Sequence, residues 1–211
     1  MRLPPYRLSA RHIHKSLDAL AARHGEIRRA VRAVGYPDER RRPEGFETLL
    51  RVIVGQQISV QAATAIYARL EETLEEKVSP ERLLRRREST LRRVGLSAPK
   101  IRYARCLAQA VKRGELDFEG LRALPDEEAI EQIQAVPGLG LWSAQIYVMF
   151  SLGRPDVWPH GDVGALRGLQ NIKRLSERPS AGEATRLVEP MSPHRSALAL
   201  LAWRCARATA L

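Results

Sequence analysis

One aspartate in the second half of this sequence is a candidate for chemistry. Asp162 ends the stretch "GRPDVWPHGD" and lies 22 residues beyond Gly140. We expect it at the start of a helix over 163–168, where an aspartate ordinarily accepts hydrogen bonds from first-turn N–H groups. From the residues alone, two interpretations stay open: a helix cap, or a carboxylate that takes part in a reaction.

A second feature lies upstream, in "VPGLGLWSAQIYVMF", where two glycines precede an apolar helix. Gly138 and Gly140 permit a tight turn and keep side chains away from the backbone amides. The helix is expected to begin near Leu141, and a helix N-terminus attracts phosphate. With a short helix over 126–135, the pattern predicts a helix-hairpin-helix that binds a nucleic-acid backbone without reading its sequence. A plain corner between two helices is the alternative.

The charge balance favours a polyanionic partner. The 211 residues include 35 Lys and Arg against 24 Asp and Glu, which gives a net charge of +11. Nucleic acid is the first candidate partner and an anionic membrane surface the second. Ordinary helices with an arginine-rich solvated surface are the alternative. The hydrophobic fraction of 44% indicates a globular protein.

The small number of cysteines and the lack of long apolar segments bear on the cofactor and the location of the protein. Its two cysteines, Cys106 and Cys205, are too few for an iron–sulfur cluster or a cysteine-based zinc site. The first 15 residues lack the apolar core of a signal peptide, and no apolar run approaches the roughly 20 residues needed to cross a bilayer. We therefore expect no cofactor, no membrane association, a cytoplasmic location (at the nucleoid in a prokaryote) and, by default, a monomer.

Helical periodicity, interrupted by glycine and proline, predicts an all-α fold. Apolar residues recur at helical spacing in several segments, whereas alternation typical of strands is scarce. Helix starts are predicted at four caps, which are Ser59, Ser79 with Pro80, Asp126, and Ser180 with Glu183. The last helix is predicted over 195–207. The run "ERRRPEG" at 39–45 predicts a loop or linker, and "LLRRRESTLRR" predicts a solvated helix face rather than one that reads DNA.

Four segments, in the same order, resemble the helix-hairpin-helix, Gly/Pro-Asp superfamily of DNA glycosylases, and more closely its 3-methyladenine DNA glycosylase II branch. They are "FETLLRVIVGQQISVQAATAIYARL", "VGLSAPKIRYARCLAQAV", "VPGLGLWSAQ" followed by "DVWPHGD", and "MSPHRSALALLAW". The resemblance covers about residues 46–203. One such segment would be weak support, but four in order form a specific pattern.

The resemblance implies two helical domains that flank a DNA-binding cleft. The domain at 44–153 is expected to end in the helix-hairpin-helix. Residues 1–43 and 154–211 are expected to form the second domain, which carries Asp162. Because the sequence begins about 45 residues before the first matching helix, it resembles the compact members without an N-terminal β domain.

The resemblance also makes Asp162 the catalytic carboxylate. Cleavage of an N-glycosidic bond develops oxocarbenium charge on the deoxyribose, and a fixed carboxylate stabilises that charge and orients or deprotonates water. In bifunctional members of the family, a lysine at the position of Trp142 attacks the sugar. Tryptophan at this position implies a monofunctional enzyme, without lyase activity, that uses water and leaves an abasic site.

Further site residues follow from the same resemblance. Trp142 and Trp203 match pocket tryptophans, where stacking and cation–π attraction favour a cationic alkylated base. Ile146 occupies a position at which some members have a pocket tyrosine, so the pocket is expected to be less aromatic or differently shaped. The slot would receive the base after it has left the duplex.

The remaining implied contacts are with DNA. Gln57 matches the side chain that fills the gap left by the flipped base, and Gln56 is expected to support its turn. The backbone of Gly138, Leu139 and Gly140 is expected to hold phosphate, with a monovalent Na⁺ or K⁺ as in relatives. No metal bound by side chains is expected.

These implications predict a base excision repair glycosylase that removes alkylated purines such as 3-methyladenine and 7-methylguanine from duplex DNA. Two alternatives stay open. One is a glycosylase of the same fold that acts on another damaged or mispaired base. The other is a non-catalytic module that binds distorted duplex DNA.

Overall fold

The computed structural model describes residues 5–75 and 77–208. Within these ranges the chain forms thirteen α-helices and one short 3₁₀ helix, Glu189–Met191, and no described residue lies in a strand. The prediction of an all-α fold is confirmed. Among the described residues, none of the helices combines the length and the apolar composition of a membrane-spanning segment.

The helices are α1 (Ala10–Arg23), α2 (Gly25–Val34), α3 (Phe46–Gly55), α4 (Val60–Thr73), α5 (Pro80–Arg85), α6 (Glu88–Val94), α7 (Ala98–Lys112), α8 (Phe118–Ala123), α9 (Asp126–Gln134), α10 (Leu141–Phe150), α11 (Val163–Lys173), α12 (Ala181–Val188) and α13 (Arg195–Arg207).

The chain divides into two compact units. The first comprises Pro43–Tyr147 and is called the hairpin unit below. The second comprises residues 5–42 and 148–208 and is called the terminal unit. The boundary falls inside α10, after Tyr147.

The hairpin unit is built around α3 and α7. Helical periodicity is confirmed for α3, because the apolar side chains that recur at helical spacing are all buried; they are Phe46, Leu49, Leu50, Ile53 and Val54. In α4, Tyr67 and Leu70 are buried while Ile66 is half-buried. The caps at Ser59 and Ser79 are confirmed, since their hydroxyls accept hydrogen bonds from backbone N–H groups of the first turns.

Two other predictions for the hairpin unit need correction. Asp126 is the first residue of α9 rather than its cap, which is Pro125. An aspartate in the first turn still stabilises the helix, because its charge opposes the positive end of the helix dipole. The segment "LLRRRESTLRR" forms two short helices, α5 and α6, separated at Arg86 and Arg87.

The terminal unit combines α1 and α2 with α11, α12 and α13. The predicted capping box of α12 is confirmed in both directions between Ser180 and Glu183. The last helix has its predicted bounds, and α11 extends five residues beyond the predicted end at 168. Residues 39–45 are irregular, as predicted.

Helices α11 and α13 approach each other very closely at Gly168. A Cβ atom added there would lie 1.8 Å from the Ala202 carbonyl oxygen. Only a glycine leaves room for the backbone of α13 at this point. The contact sets the distance between α11 and α13 at this crossing point.

Candidate functional site

The hairpin between α9 and α10 depends on Gly138. Its φ is +93°, in the region that favours glycine. A Cβ at this position would also lie 2.2 Å from the Cγ atom of Tyr103. Leu139 is buried, and its N–H donates to the Val136 carbonyl at 3.0 Å. The sequence therefore forms the predicted tight turn, and the turn leads directly into the N-terminus of α10.

The turn after α3 is tied to this hairpin. The Gln56 side chain donates from Nε2 to the carbonyl oxygen of Gly138 at 2.7 Å. The next residue, Gln57, is exposed and has a φ of +56°, which is uncommon for a residue other than glycine. Gln56 thus holds the turn in place, and Gln57 lies on the surface beside it. The two residues that the resemblance assigned to DNA contacts therefore adjoin the hairpin.

Lys100 secures the same turn from α7. Its Nζ donates to the Val54 carbonyl near the end of α3 at 2.8 Å, and burial lowers the pKa of its ammonium group. This residue belongs to the segment "VGLSAPKIRYARCLAQAV", whose sequence indicates no role for the lysine. In the structure the lysine binds a carbonyl that the end of a helix leaves without an intrahelical donor.

We expect the Gln56→Ala variant to lose about 1 kcal/mol of unfolding free energy, because the Gly138 carbonyl loses its donor. Urea unfolding measures the change. The exposed Gln61 in α4 supplies the matched control, and its alanine variant is expected to stay close to the wild type. Equal stability of the two variants would contradict the linking role of Gln56.

Asp162 caps α11. Its Oδ1 accepts a hydrogen bond from the Ala165 backbone N–H at 2.7 Å, which confirms the capping interpretation. The same oxygen accepts a second hydrogen bond from Nε1 of Trp203, also at 2.7 Å. The carboxylate is half-buried. Two donors on one oxygen fix the orientation of the carboxylate, so the cap and a chemical role are compatible.

A second aspartate, which the sequence analysis missed, anchors the loop that leads to Asp162. Asp156 forms a bidentate pair with Arg195 at 2.8 Å for both contacts, and it also accepts from the Ser192 hydroxyl at 2.7 Å. Burial raises the pKa of Asp156, but the hydrogen bonds from Arg195 and Ser192 outweigh it, so its pKa lies below the usual value. No spacing rule pairs residues 39 positions apart, so no pattern in the sequence predicts this pair.

The first turn of α13 contributes one more anchor to this loop. The buried Ser196 hydroxyl accepts from the Val157 N–H at 2.9 Å and donates to the Arg154 carbonyl at 2.7 Å. Trp203 lies two helical turns further along the same helix. Helix α13 therefore fixes the loop at its beginning through Arg195 and Ser196, and at its end through Trp203.

The Asp156→Asn variant is expected to lose about 2 kcal/mol of unfolding free energy at neutral pH, because the pair with Arg195 loses its charge. The pKa of Asp156 is lower in the folded state than the roughly 3.9 of an unfolded aspartate. The stabilisation is therefore complete above that value and is lost as the pH falls through the folded pKa. Urea unfolding of both proteins should show a difference in unfolding free energy that becomes smaller below pH about 4. A difference independent of pH would contradict the role of the charge.

The predicted pocket residues fall in both units. Trp203 belongs to the terminal unit and lies beside Phe150, with 5.8 Å between the ring centroids. Trp142 belongs to the hairpin unit, where its side chain is 41% exposed, and Ile146 follows one turn later and is buried. The structure joins Trp203 to Asp162 directly, and it places Trp142 in the first turn of the helix that the hairpin opens.

Metal binding by side chains has no candidate in the described part of the chain. Among residues 5–75 and 77–208, no three His, Cys, Asp or Glu side chains cluster closely enough to hold an ion. The monovalent cation expected at the backbone of Gly138, Leu139 and Gly140 stays a prediction.

Known proteins resemble this chain over most of its length. DNA-3-methyladenine glycosylase 1 of Schizosaccharomyces pombe is 30% identical over 186 residues, which cover 85% of this chain and 82% of the relative. The crystal structure of a DNA-3-methyladenine glycosidase from Bacillus halodurans has a TM-score of 0.83 at 31% identity, with 91% of this chain and 89% of that chain covered. The S. pombe 3-methyladenine DNA glycosylase in complex with abasic DNA has a TM-score of 0.80 at 29% identity, with 90% and 95% covered.

A family pattern matches the same region. Residues 50–193 match the HhH-GPD superfamily base excision DNA repair protein. The matched region contains the Gln56 turn, the hairpin at Gly138 and the cap at Asp162, and it spans more than half of the 211 residues. The chain therefore belongs to the HhH-GPD superfamily of base excision DNA repair proteins.

Proposed function

We propose that this DNA glycosylase is monofunctional and removes alkylated purines, such as 3-methyladenine and 7-methylguanine, from duplex DNA. The observation that carries the proposal is the hydrogen bond from Trp203 Nε1 to Asp162 Oδ1. It places a large aromatic ring, on which a purine can stack, beside a fixed carboxylate that can stabilise the charge developing on the sugar. The names of the S. pombe relative and of the B. halodurans relative agree with this substrate class.

In the proposed reaction the C1′–N bond breaks and its electron pair leaves with the purine. An alkylated purine that already carries positive charge departs as a neutral base, so it needs little help from a general acid. Asp162 stabilises the positive charge that develops on the sugar, and it orients or deprotonates the water that attacks C1′. The products are the free base and an abasic site.

The proposal of a monofunctional enzyme rests on Trp142. An indole cannot form a Schiff base with the sugar, whereas a lysine amine can. In the proposed complex, Trp142 and Ile146 contact the damaged base, and Gln57 fills the gap that the base leaves in the duplex. The amides of Gly138 and Gly140, which flank the internally bonded Leu139 amide, hold a phosphate at the N-terminus of α10.

The test is release of free bases from methylated duplex DNA, with undamaged duplex as the control. We expect 3-methyladenine and 7-methylguanine by chromatography. We also expect intact strands that break only after alkali, and no covalent adduct with borohydride, because a Schiff base does not form. Release of hypoxanthine or an oxidised base instead would show that the enzyme acts on a different class of damaged base. Binding to distorted duplex without release of any base would favour a non-catalytic DNA-binding module.

A further inference from the structure

Three consecutive arginines, Arg40–Arg42, lie over aromatic rings of the terminal unit. The guanidinium carbon of Arg40 is 5.6 Å from the centroid of the Trp203 ring. That of Arg41 is 4.6 Å from Tyr6, and that of Arg42 is 5.5 Å from Phe150. The sequence predicted only a loop here. The structure shows that each cation in the loop has an aromatic partner.

Contacts on both sides of Arg40 hold this segment in place. Downstream, the Arg42 N–H donates to the Phe150 carbonyl at 2.9 Å. Upstream, Arg204 on α13 donates to the Val34 carbonyl and pairs with Asp38 at 3.7 Å. These contacts hold the chain on either side of Arg40, and Arg204 follows Trp203 directly on the same helix.

The Arg40 guanidinium makes a cation–π interaction with Trp203 that the proposed cationic substrate would also make. A cation over an indole face gains cation–π energy, and this is the interaction expected to favour a cationic alkylated base at Trp203. Burial lowers the pKa of Arg40, and the neighbouring charge of Arg207 lowers it further. An arginine nevertheless keeps its proton at any physiological pH. A permanent positive charge therefore lies beside the ring that hydrogen-bonds to Asp162.

We propose that Arg40 is a specificity-determining residue that disfavours cationic alkylated bases, relative to neutral bases, at the Trp203 ring. This inference rests on the proposed function, because it requires the base to contact Trp203. Two physical effects act in the same direction. A base with positive charge is repelled by the guanidinium. A neutral purine keeps acceptors such as N7 and O6, to which the guanidinium can donate, whereas methylation at N7 removes one of them.

The experiment compares wild type, Arg40→Gln, Arg40→Lys and Arg41→Gln. Each protein is assayed for release of 7-methylguanine, which is cationic in DNA, and of hypoxanthine, which is neutral, and for affinity to a duplex with an abasic-site analogue. We expect Arg40→Gln to raise kcat/KM for 7-methylguanine about tenfold, with hypoxanthine release at or below the wild-type level. Arg40→Lys keeps the charge and should stay within about twofold of wild type for 7-methylguanine. Arg41→Gln, whose ring partner is Tyr6, should change neither base.

The other outcomes overturn the proposal. Unchanged or lower 7-methylguanine release by Arg40→Gln would show that the guanidinium does not discriminate. An equal rise for both bases would show that Arg40 only obstructs the site, and a parallel loss of release and abasic-duplex affinity would make it a phosphate contact. If the wild type releases no methylated base, the proposed function itself has failed. That result differs from a wild type that is active and a variant that does not differ from it.

Discussion

We expect the Asp162→Asn variant to release methylated purines about a thousandfold more slowly than the wild type. Asparagine has nearly the same shape and is an equally good helix cap. Its amide oxygen can accept the hydrogen bonds from the Ala165 N–H and from Trp203 Nε1 that Asp162 Oδ1 accepts at 2.7 Å. The substitution therefore removes the negative charge while the local structure is kept. Single-turnover release of 7-methylguanine and 3-methyladenine, followed by chromatography, measures the effect.

Two controls separate this effect from a loss of folding or of binding. Asp162→Asn should bind a duplex with an abasic-site analogue at least as tightly as the wild type, because a carboxylate near phosphates is lost. Asp117 is an exposed aspartate that caps α8 through the Glu119 and Gly120 N–H groups. The matched variant Asp117→Asn should release bases at the wild-type rate. If Asp162→Asn stays within about tenfold of the wild type, Asp162 is a cap and the catalytic group lies elsewhere.

The second large effect concerns stability. We expect Gly168→Ala to lower the free energy of unfolding by about 3 kcal/mol. The added Cβ would lie 1.8 Å from the carbonyl oxygen and 2.7 Å from the Cα atom of Ala202. These are backbone atoms, so no rotation of a side chain relieves the clash and α11 must move away from α13. The loss outweighs the roughly 1 kcal/mol by which alanine favours a helix over glycine.

Gly182 in α12 is the matched control, because a Cβ added there meets no atom within 4 Å. Gly182→Ala should be as stable as the wild type or up to about 1 kcal/mol more stable. Urea unfolding measures both variants. Gly168→Ala should also lose base release, because Trp203 follows Ala202 and moves away from Asp162 with α13. A Gly168→Ala protein as stable as the Gly182→Ala protein would disprove the proposed clash.

The features that the sequence predicted correctly are local ones. A helix start, a capping box or a tight turn involves residues three or four apart, so the cap at Asp162, the box at Ser180 and the turn at Gly138 could be recognised from spacing. The face of α3 was equally visible because it is buried throughout. In α4 the buried positions include Tyr67, whose ring is apolar and whose hydroxyl is polar, so periodicity alone does not identify it as a buried residue.

The contacts that join distant parts of the chain could not be predicted in this way. Trp203 and Asp162 are 41 residues apart, and Asp156 and Arg195 are 39 apart. Periodicity carries no information about which helix end meets which loop. The resemblance to known glycosylases named Trp203 and Asp162 separately, but not the hydrogen bond between them. Arg40 was missed because three adjacent arginines predict a solvated loop, and only tertiary structure shows that each contacts a ring.

The hydrogen bond between Trp203 and Asp162 limits how this enzyme can change during evolution. Under the proposed function, a single side chain presents its face to the base and its N–H to the carboxylate, so a substitution at 203 that reshapes the pocket would also release the carboxylate. Substitutions at this position are therefore expected to change substrate range and turnover together. New specificities are expected to arise instead at neighbours that contact the ring without contacting Asp162, and the arginine at position 40 is one such place.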